Sequence, residues 1–239
     1  MTPTANDLSG FGQIKPIRPL AGGHRNSVWL VELSGKQHVA KSSRRTEDQL
    51  AWLEPIQAKA RISGFIVPEL LHAADGARVS NGWTLEPFVQ GSNYSLSQMK
   101  TLRPRIDAFH ATLRGIGQRP GFSSMHEFCS EDRGGDIDLS ALPKPVVQQL
   151  RTAWAAMSGQ PVQAIHGDLT PSNLIATPDG PALMDWDEAR VDCLFLDQIN
   201  FVRWTTQQTR AHQALEIASG WILEPVHARA LWDNFILSA

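Results

Sequence analysis

The sequence has few of the features that mark secreted and membrane proteins. Its 239 residues include two cysteines, Cys129 and Cys193, which form no C-x-x-C pair. A disulfide framework or a zinc site of paired cysteines is therefore not indicated. No apolar run approaches the ~18 residues of a membrane-spanning helix, and residues 1–20 contain no apolar signal-peptide core. We expect a cytoplasmic protein with no membrane partner.

Charge of one sign is not concentrated anywhere in the chain. Lysine and arginine number 22 against 24 aspartates and glutamates, and no run of five basic residues occurs. A nucleic-acid partner is therefore not expected. The apolar share of 42% is ordinary for a globular protein. The chain should bury a sizeable core in one large domain or two lobes, as a monomer or homodimer.

Strand-like segments fill the first part of the chain and helical segments fill the second. Residues 27–33 and 37–42 are β-prone and flank a turn, which predicts a hairpin. Residues 82–89 look like a further strand, in which Pro87 suits a sheet edge or a hinge better than a central strand. Apolar residues then recur at helical spacing, and residues 115–145 predict a long loop or lid. We expect an α+β fold with lobes at 1–89 and 90–239.

The strongest local pattern runs from His166 to Asn173 and reads H-G-D-L-T-P-S-N. Asp168 and Asn173 are five residues apart, and Asp185 follows Asn173 by twelve. Kinase active sites need one carboxylate to accept a hydroxyl proton, and an amide and a second carboxylate to hold Mg²⁺. The spacing therefore predicts Asp168 as the base and Asn173 and Asp185 as the metal ligands.

These segments resemble the aminoglycoside phosphotransferase and choline kinase family, whose members carry an H-G-D-x-x-x-x-N run and a later D-W or D-F. The resemblance implies a two-lobed protein-kinase-like fold, with a small antiparallel-sheet N-lobe and a mainly helical C-lobe. It implies Mg²⁺ and ATP as cofactors and a small-molecule hydroxyl acceptor. By the same resemblance His166 braces the catalytic loop, and Asp197 ties the following helix to it.

The first part of the chain offers candidate nucleotide-binding residues. Gly22 and Gly23, with Ser27, precede the first hairpin strand, where backbone N–H groups can approach phosphate oxygens closely. Lys41 ends the second hairpin strand, where the family places a lysine on the α- and β-phosphates. It should face Asn173 and Asp185 across a cleft.

Two further parts of the nucleotide site are expected from the resemblance. The carboxylate partner of Lys41 should lie on the next helix, where Glu47 is the first choice and Glu54 the substitute. Adenine should contact the connection between the lobes, at Glu86, Phe88 and Val89. Phe88 is equally well explained as a core residue.

The acceptor is not identified by the sequence. The acidic stretch 126–138 could close over an amine, and tail aromatics could cage a quaternary ammonium by cation–π contact, although a solvated loop and core packing explain them too. An amino alcohol, a sugar-like metabolite or an aminoglycoside is the expected acceptor. Two other hypotheses remain open. One is a non-catalytic nucleotide-binding module, and the other is a two-metal hydrolase built on His166, Asp168, Asp185 and Asp187.

Overall fold

The computed structural model describes residues 3–4, 7–20 and 25–237. The chain divides into two compact units. The first contains residues 1–93 and 175–184, and the second contains residues 94–174 and 185–239. The first unit thus takes in a short segment from late in the sequence. The predicted lobe boundary near residue 89 stays a prediction.

Four antiparallel strands form the main sheet of the first unit. They are β1 (Ile14–Pro19), β2 (Val28–Leu33), β3 (Lys36–Ser42) and β4 (Trp83–Pro87), and they lie in this order across the sheet. Pro87 ends the edge strand, as predicted, because proline cannot donate to a ladder hydrogen bond. The core on one side of the sheet includes Val31, Ala40, Trp83 and Leu85.

The predicted hairpin is confirmed. Strands β2 and β3 are joined by Ser34 and Gly35, whose φ angles are 51° and 76°. Two consecutive left-handed residues match the twist of the flanking strands in a two-residue turn. The register pairs Leu33 with Lys36 and continues to Val28 opposite Lys41.

Two short helices follow β3 in the first unit. Helix α1 (Glu47–Ala51) begins with a capping box at Thr46, and helix α2 (Leu53–Ile62) follows after Trp52. Pro55 lies in the first turn of α2, where its missing N–H breaks no helical hydrogen bond. A small sheet completes this unit. Its strands are β5 (Ser92–Asn93), β9 (Leu174–Thr177) and β10 (Gly180–Leu183), with β9 in the middle.

The second unit is mainly helical. Its helices are α3 (Leu96–Thr101), α4 (Arg103–Thr112), α5 (Lys144–Ala155), α6 (Thr206–Leu223) and α7 (Pro225–Leu237). Two strand pairs accompany them, namely β6 (Arg133–Gly134) with β7 (Ile137–Asp138), and β8 (Val162–Ile165) with β11 (Arg190–Cys193). Leu150, Trp154 and Met157 are buried in the core, as their helical spacing predicts.

The segment between α4 and α5 differs from the loop or lid that the sequence predicts. The sequence predicts a loop or lid here, and the backbone does include turns and two short 3-10 helices. However, Met125, Phe128 and Leu139 are at most 1% exposed and pack into the core of the second unit. The segment is therefore a packed part of the core, and the lid prediction is wrong. Within the described ranges, no helix combines the length and apolar character needed to cross a bilayer.

Candidate active site

The residues of the H-G-D-x-x-x-x-N segment lie between two buried strand ends. His166 directly follows β8, and the 3-10 turn Pro171–Asn173 directly precedes β9. Ile165 and Leu174 are both fully buried. Their burial fixes both ends of the connecting loop, so the exposed Asp168 projects from an anchored backbone.

The structure brings Asn173 and Asp168 together. Nδ2 of Asn173 donates to Oδ2 of Asp168 at 2.7 Å and to the Asp168 carbonyl oxygen at 2.8 Å. Asn173 is 9% exposed, whereas Asp168 is open to solvent. Because its nitrogen orients Asp168, the amide oxygen of Asn173 is the atom suited to a hard cation.

The carboxylate of Asp197 holds the start of this loop by hydrogen bonds to its backbone. Its Oδ2 accepts the backbone N–H of His166 and its Oδ1 accepts that of Gly167, both at 2.8 Å. Oδ2 also accepts from Nε2 of His110 at 3.0 Å. Burial by itself would raise the pKa of Asp197, but these hydrogen bonds and the adjacent histidines outweigh it and lower the pKa. The charged form of Asp197 therefore holds the loop.

His166 contacts Trp186 and the backbone of Asp168. Its side chain is fully buried, and its ring centroid lies 4.6 Å from that of Trp186. Its Nδ1 accepts the backbone N–H of Asp168 at 3.3 Å. The imidazole thus links Asp168 to the segment that follows Asp185, and its role as a brace stays a prediction.

Asp185 has an unusual backbone conformation. Its φ is 58°, and within the described ranges only Ser34 and Asn81 are other non-glycine residues with positive φ. Ser34 and Asn81 each precede a glycine in a tight turn, where such angles are routine. Asp185 instead precedes the buried Trp186. A strained φ of this kind costs of order 1–3 kcal/mol and is typical of functional positions.

The predicted nucleotide residues of β3 and β4 share one face of the first unit's sheet. The register pairs Lys41 with Thr84 and Val39 with Glu86. Paired residues point to the same side of a sheet, and so do residues two apart on one strand. Lys41 and Glu86 therefore lie on the face opposite the core that contains Ala40. Whether Lys41 faces Asn173 and Asp185 stays a prediction.

The carboxylate of Glu47 is held by an arginine that the sequence analysis missed. Oε2 of Glu47 accepts the backbone N–H of Arg78 at 2.9 Å, and Oε1 accepts from its guanidinium. Glu54 accepts from the same guanidinium at 2.7 Å. Burial raises the pKa of Glu47, but the Arg78 contacts outweigh it and leave the pKa lowered. The pairing of Glu47 or Glu54 with Lys41 stays a prediction.

The other predicted nucleotide contacts lie near the strand ends. The backbone N–H of Ser27 donates to Oγ of Ser42 at 2.8 Å, which fixes the start of β2. The N–H of Phe88 donates to the Gln37 carbonyl at 3.1 Å, and Val89 is half-buried. Gly22 and Gly23 lie outside the described residues.

The hydrolase hypothesis finds no support in the side-chain arrangement. A two-metal site needs several carboxylates or imidazoles around a common centre. The described part of the chain contains no group of three or more His, Cys, Asp or Glu side chains placed to hold a metal ion. A site with few protein ligands, such as Asn173 and Asp185, is the alternative that the residues allow.

Two buried side chains of the second unit, one imidazole and one guanidinium, were also missed. His110 on α4 binds Asp197 across a sequence separation of 87 residues. Arg119 is fully buried and contacts carbonyl groups of the segment after Asp185. Neither residue belongs to a local motif that could have identified it.

Comparison with known proteins gives the family that the segment from His166 to Asn173 resembles. The model of the phosphotransferase enzyme family, APH, matches residues 16–232. The chain belongs to the phosphotransferase enzyme family. The predicted family and the small-molecule kinase class are thereby confirmed at the level of the family. A search of curated proteins gives no match.

Solved structures support the two-lobed protein-kinase-like fold of this phosphotransferase. A thermostable mutant of aminoglycoside phosphotransferase APH(4)-Ia, in ternary complex with ADP and hygromycin B, is 13% identical, with TM-score 0.59 and 97% of each chain covered. Choline kinase LicA from Streptococcus pneumoniae is 13% identical, with TM-score 0.55, and 96% of this chain and 88% of LicA are covered. A microcompartment-associated aminopropanol kinase is 14% identical, with TM-score 0.54 and coverages of 90% and 85%. The predicted fold class is confirmed.

The acidic stretch of this phosphotransferase is largely used in internal contacts. Glu127 accepts from the backbone and hydroxyl of Ser124, and Asp132 binds Arg151 at 2.8 Å. Asp138 accepts from the backbone of Ser140. These carboxylates stabilise turns and bind an arginine of the chain itself, which favours the solvated-loop interpretation.

The tail aromatics of the phosphotransferase also have protein contacts. The guanidinium of Arg229 lies 4.8 Å from the Trp221 ring centroid, and that of Arg103 lies 5.6 Å from Phe201. Trp204 packs edge-on against Phe195 at 5.3 Å. Trp221 is therefore a core residue with its own cation, which favours the packing interpretation over an aromatic cage.

Proposed function

We propose that this chain is an ATP- and Mg²⁺-dependent kinase that transfers the γ-phosphoryl group to a hydroxyl of a small molecule. The observation that carries the proposal is the double hydrogen bond from Asn173 to Asp168. Phosphoryl transfer needs a base for the acceptor and an oxygen ligand for the metal at adjacent positions. Both cysteines are free, which fits the predicted cytoplasmic location.

Asp168 is the proposed catalytic base. Its Oδ2 is engaged by Asn173, so Oδ1 is the oxygen to accept the acceptor's hydroxyl proton. Two neighbouring contacts keep the loop in place, namely the Asp197 anchor and the Nδ1 of His166. Fixing the base before the substrate binds avoids reorganisation during transfer.

Asn173 and Asp185 fit Mg²⁺ by their chemistry. Both supply hard oxygen atoms, and Mg²⁺ commonly takes one or two protein oxygens and completes its shell with phosphate and water. Mg²⁺ held by Asn173 and Asp185 would supply positive charge that neutralises the phosphates. Because the side-chain nitrogen of Asn173 donates to Asp168, the amide oxygen of Asn173 remains available to bind the metal.

The first unit is proposed to hold ATP. Lys41 binds the α- and β-phosphates, supported by its place on the sheet face that it shares with Glu86. Gly22 and Gly23 are proposed to cover the phosphates with backbone N–H groups, and Ser27, whose own N–H donates to Oγ of Ser42, fixes the start of β2 beside them. Adenine contacts the backbone from Glu86 to Val89, with Phe88 as an apolar wall.

An amino alcohol or a related amine-bearing hydroxyl compound is the proposed acceptor. On α6, His212 lies 3.8 Å from Glu216, and its ring centroid is 5.0 Å from that of Trp204. The pKa of His212 is lowered, chiefly by burial and also by Arg190, although Glu216 and Asp168 act to raise it. Two relatives are named for an amino alcohol, choline kinase LicA and the aminopropanol kinase.

An ADP-release screen tests the proposal. Amino alcohols, sugars and aminoglycosides are offered with Mg·ATP to the wild type and to Asp168→Asn. We expect acceptor-dependent ADP release that Asp168→Asn reduces by about 100-fold or more, with ATP affinity nearly unchanged. Asp233→Asn removes an exposed carboxylate on α7 and should behave as the wild type. Equal turnover in Asp168→Asn would refute the base assignment.

A non-catalytic nucleotide-binding module is the second candidate. The observation that favours it is that both expected partners of Lys41, Glu47 and Glu54, bind Arg78. Binding of Mg·ATP without phosphoryl transfer to any acceptor in the screen would support this candidate. Transfer to one acceptor would exclude it.

A further inference from the structure

Gln118 and Arg119, in the packed segment between α4 and α5, hold the backbone that follows Asp185. The side chain of Gln118 forms two hydrogen bonds with Val191, donating from Nε2 to its carbonyl and accepting its N–H at Oε1, both at 2.9 Å. Gln118 therefore pairs with the outer edge of β11 as a strand would. This fixes the far end of the segment 186–191.

Arg119 holds the near end of the same segment. Its Nη1 donates to the carbonyl oxygens of Asp187 at 2.9 Å, Ala189 at 3.0 Å and Trp186 at 3.4 Å. The side chain is fully buried, and its guanidinium lies 4.3 Å from the Phe122 ring centroid. A buried cation is costly unless polar groups surround it, so these carbonyl dipoles and the guanidinium stabilise each other.

The contacts of Arg119 begin one residue after Asp185, whose φ of 58° is unfavourable for a side chain with a Cβ atom. An unfavourable backbone angle persists only when the surrounding structure over-determines it. Arg119 fixes the carbonyls of Trp186 and Asp187 and so limits how far the Asp185 backbone can relax. Relaxation to negative φ would redirect the Asp185 carboxylate.

We propose that Arg119 is a positioning residue for the metal ligand Asp185, and that Gln118 supports it from the far end of the segment. The inference rests on the proposed function, because it takes Asp185 as the metal ligand. It adds that metal affinity depends on a residue of the 115–145 segment, outside the catalytic motifs. Residues that orient metal ligands typically change metal affinity by about 10- to 100-fold when they are removed.

The test measures metal binding rather than turnover. Mn²⁺ serves as the probe, because it accepts the same oxygen ligands as Mg²⁺ and is detected by electron paramagnetic resonance. Mn²⁺ affinity is measured on the ADP complex of the full chain, and ADP affinity is measured separately in EDTA. The variants are Arg119→Met, Arg119→Lys and Gln118→Ala. The matched control is Arg151→Met, because Arg151 also donates to backbone carbonyls, those of Phe128 and Glu131.

We expect Arg119→Met to weaken Mn²⁺ binding by about 10- to 100-fold, with ADP affinity in EDTA unchanged. Arg119→Lys should show a smaller loss of Mn²⁺ affinity, since one ammonium cannot reproduce the fork of the guanidinium. If Arg119→Met does not fold, Gln118→Ala provides the test, and its Mn²⁺ affinity should fall relative to Arg151→Met.

Three results would overturn the inference. The first is wild-type Mn²⁺ affinity in the folded Arg119 and Gln118 variants. The second is a parallel loss of ADP affinity in EDTA, which would indicate general damage to the fold. The third is absence of Mn²⁺ binding by the wild-type ADP complex, which would also remove the proposed metal role. A wild type that binds Mn²⁺ but transfers no phosphate would refute catalysis alone.

Discussion

The Nε2 of His110 and the Oδ2 of Asp197 lie 3.0 Å apart, and both side chains are buried. His110 belongs to α4, whereas Asp197 follows β11 and holds the backbone N–H groups of His166 and Gly167. One carboxylate therefore connects a core helix to the loop that carries the proposed base. The position of the proposed base therefore depends on two buried side chains, His110 and Asp197.

We expect His110→Ala to lower the free energy of unfolding by about 2–3 kcal/mol, because it removes a donor from a buried carboxylate. Urea unfolding of the purified protein measures this. His110→Gln keeps an N–H donor and should recover part of the loss. His72→Ala is the control, since His72 is 47% exposed and 3.8 Å from Glu54, and it should cost less than about 0.5 kcal/mol. Equal losses in His110→Ala and His72→Ala would contradict the prediction.

The stabilising effect of Asp197 should depend on pH. Its pKa in the folded state is below the ordinary value of 3.8. A carboxylate of this kind stabilises the native state above its unfolded pKa, and the contribution is lost as pH falls through the folded pKa. The stability gap between wild type and Asp197→Asn should be largest near neutral pH and should shrink below about pH 4.

Urea unfolding over a series of pH values measures this gap. Asp233→Asn changes an exposed carboxylate and should show almost no gap at any pH. The assignment of a charged Asp197 would fail if the gap for Asp197→Asn widened in acid.

Asn173→Asp tests the contact at the centre of the proposed site. The substitution replaces the donating nitrogen, 2.7 Å from Oδ2 of Asp168, with a carboxylate oxygen. Two carboxylates at this distance repel each other, so Asp168 should lose its orientation and turnover should fall by about 100-fold or more. The ADP-release assay measures it. Asn234→Asp makes the same chemical change at an exposed position of α7 and should leave turnover intact.

The site parts that could be predicted from the sequence are those that lie within one short segment. The spacing from His166 to Asn173 fixes a loop between two buried strands, and the segment itself contains the hydrogen bonds that order it. The family resemblance also identified Asp197, whose carboxylate binds the backbone of His166.

The supporting residues could not be predicted because their partners are remote in sequence. His110 is 87 residues from Asp197, and Arg119 is 68 residues from Asp187. The lid prediction failed for a related reason. Phe122, Met125 and Phe128 are buried three residues apart, but they lie in a stretch rich in turn residues, and three apolar positions are too short a run to predict a packed segment.

The two cysteines should differ in reactivity. Cys193 is fully buried, and burial raises its pKa to about 12. Cys129 is exposed, although partial desolvation raises its pKa as well. The thiolate is the reactive form, so a thiol reagent at pH 8 should modify Cys129 alone in the native protein and both residues in urea. Cys129→Ser should abolish native labelling. Rapid labelling of native Cys129→Ser would show that Cys193 is accessible.

Gly167 and Gly159 form a matched pair for testing how closely the catalytic loop packs. Their φ angles are 85° and 84°. A substitution by alanine at either position therefore adds the same backbone strain, about 1–2 kcal/mol, because a residue with a Cβ atom disfavours this conformation. A Cβ at Gly167 would lie 2.3 Å from the carbonyl oxygen of Glu188, whereas a Cβ at Gly159 would meet no atom within 4 Å. Gly167→Ala must therefore displace either the loop or the backbone after Asp185.

We expect Gly159→Ala to lower stability by the backbone cost alone and to keep its turnover. Gly167→Ala should lose more stability and should also lose turnover, because the displaced backbone belongs to the residue before Asp168. Urea unfolding and the ADP-release assay on the same preparations measure both effects. If the two variants lost equal stability and both kept full turnover, the close contact between Gly167 and Glu188 would have no part in positioning the base.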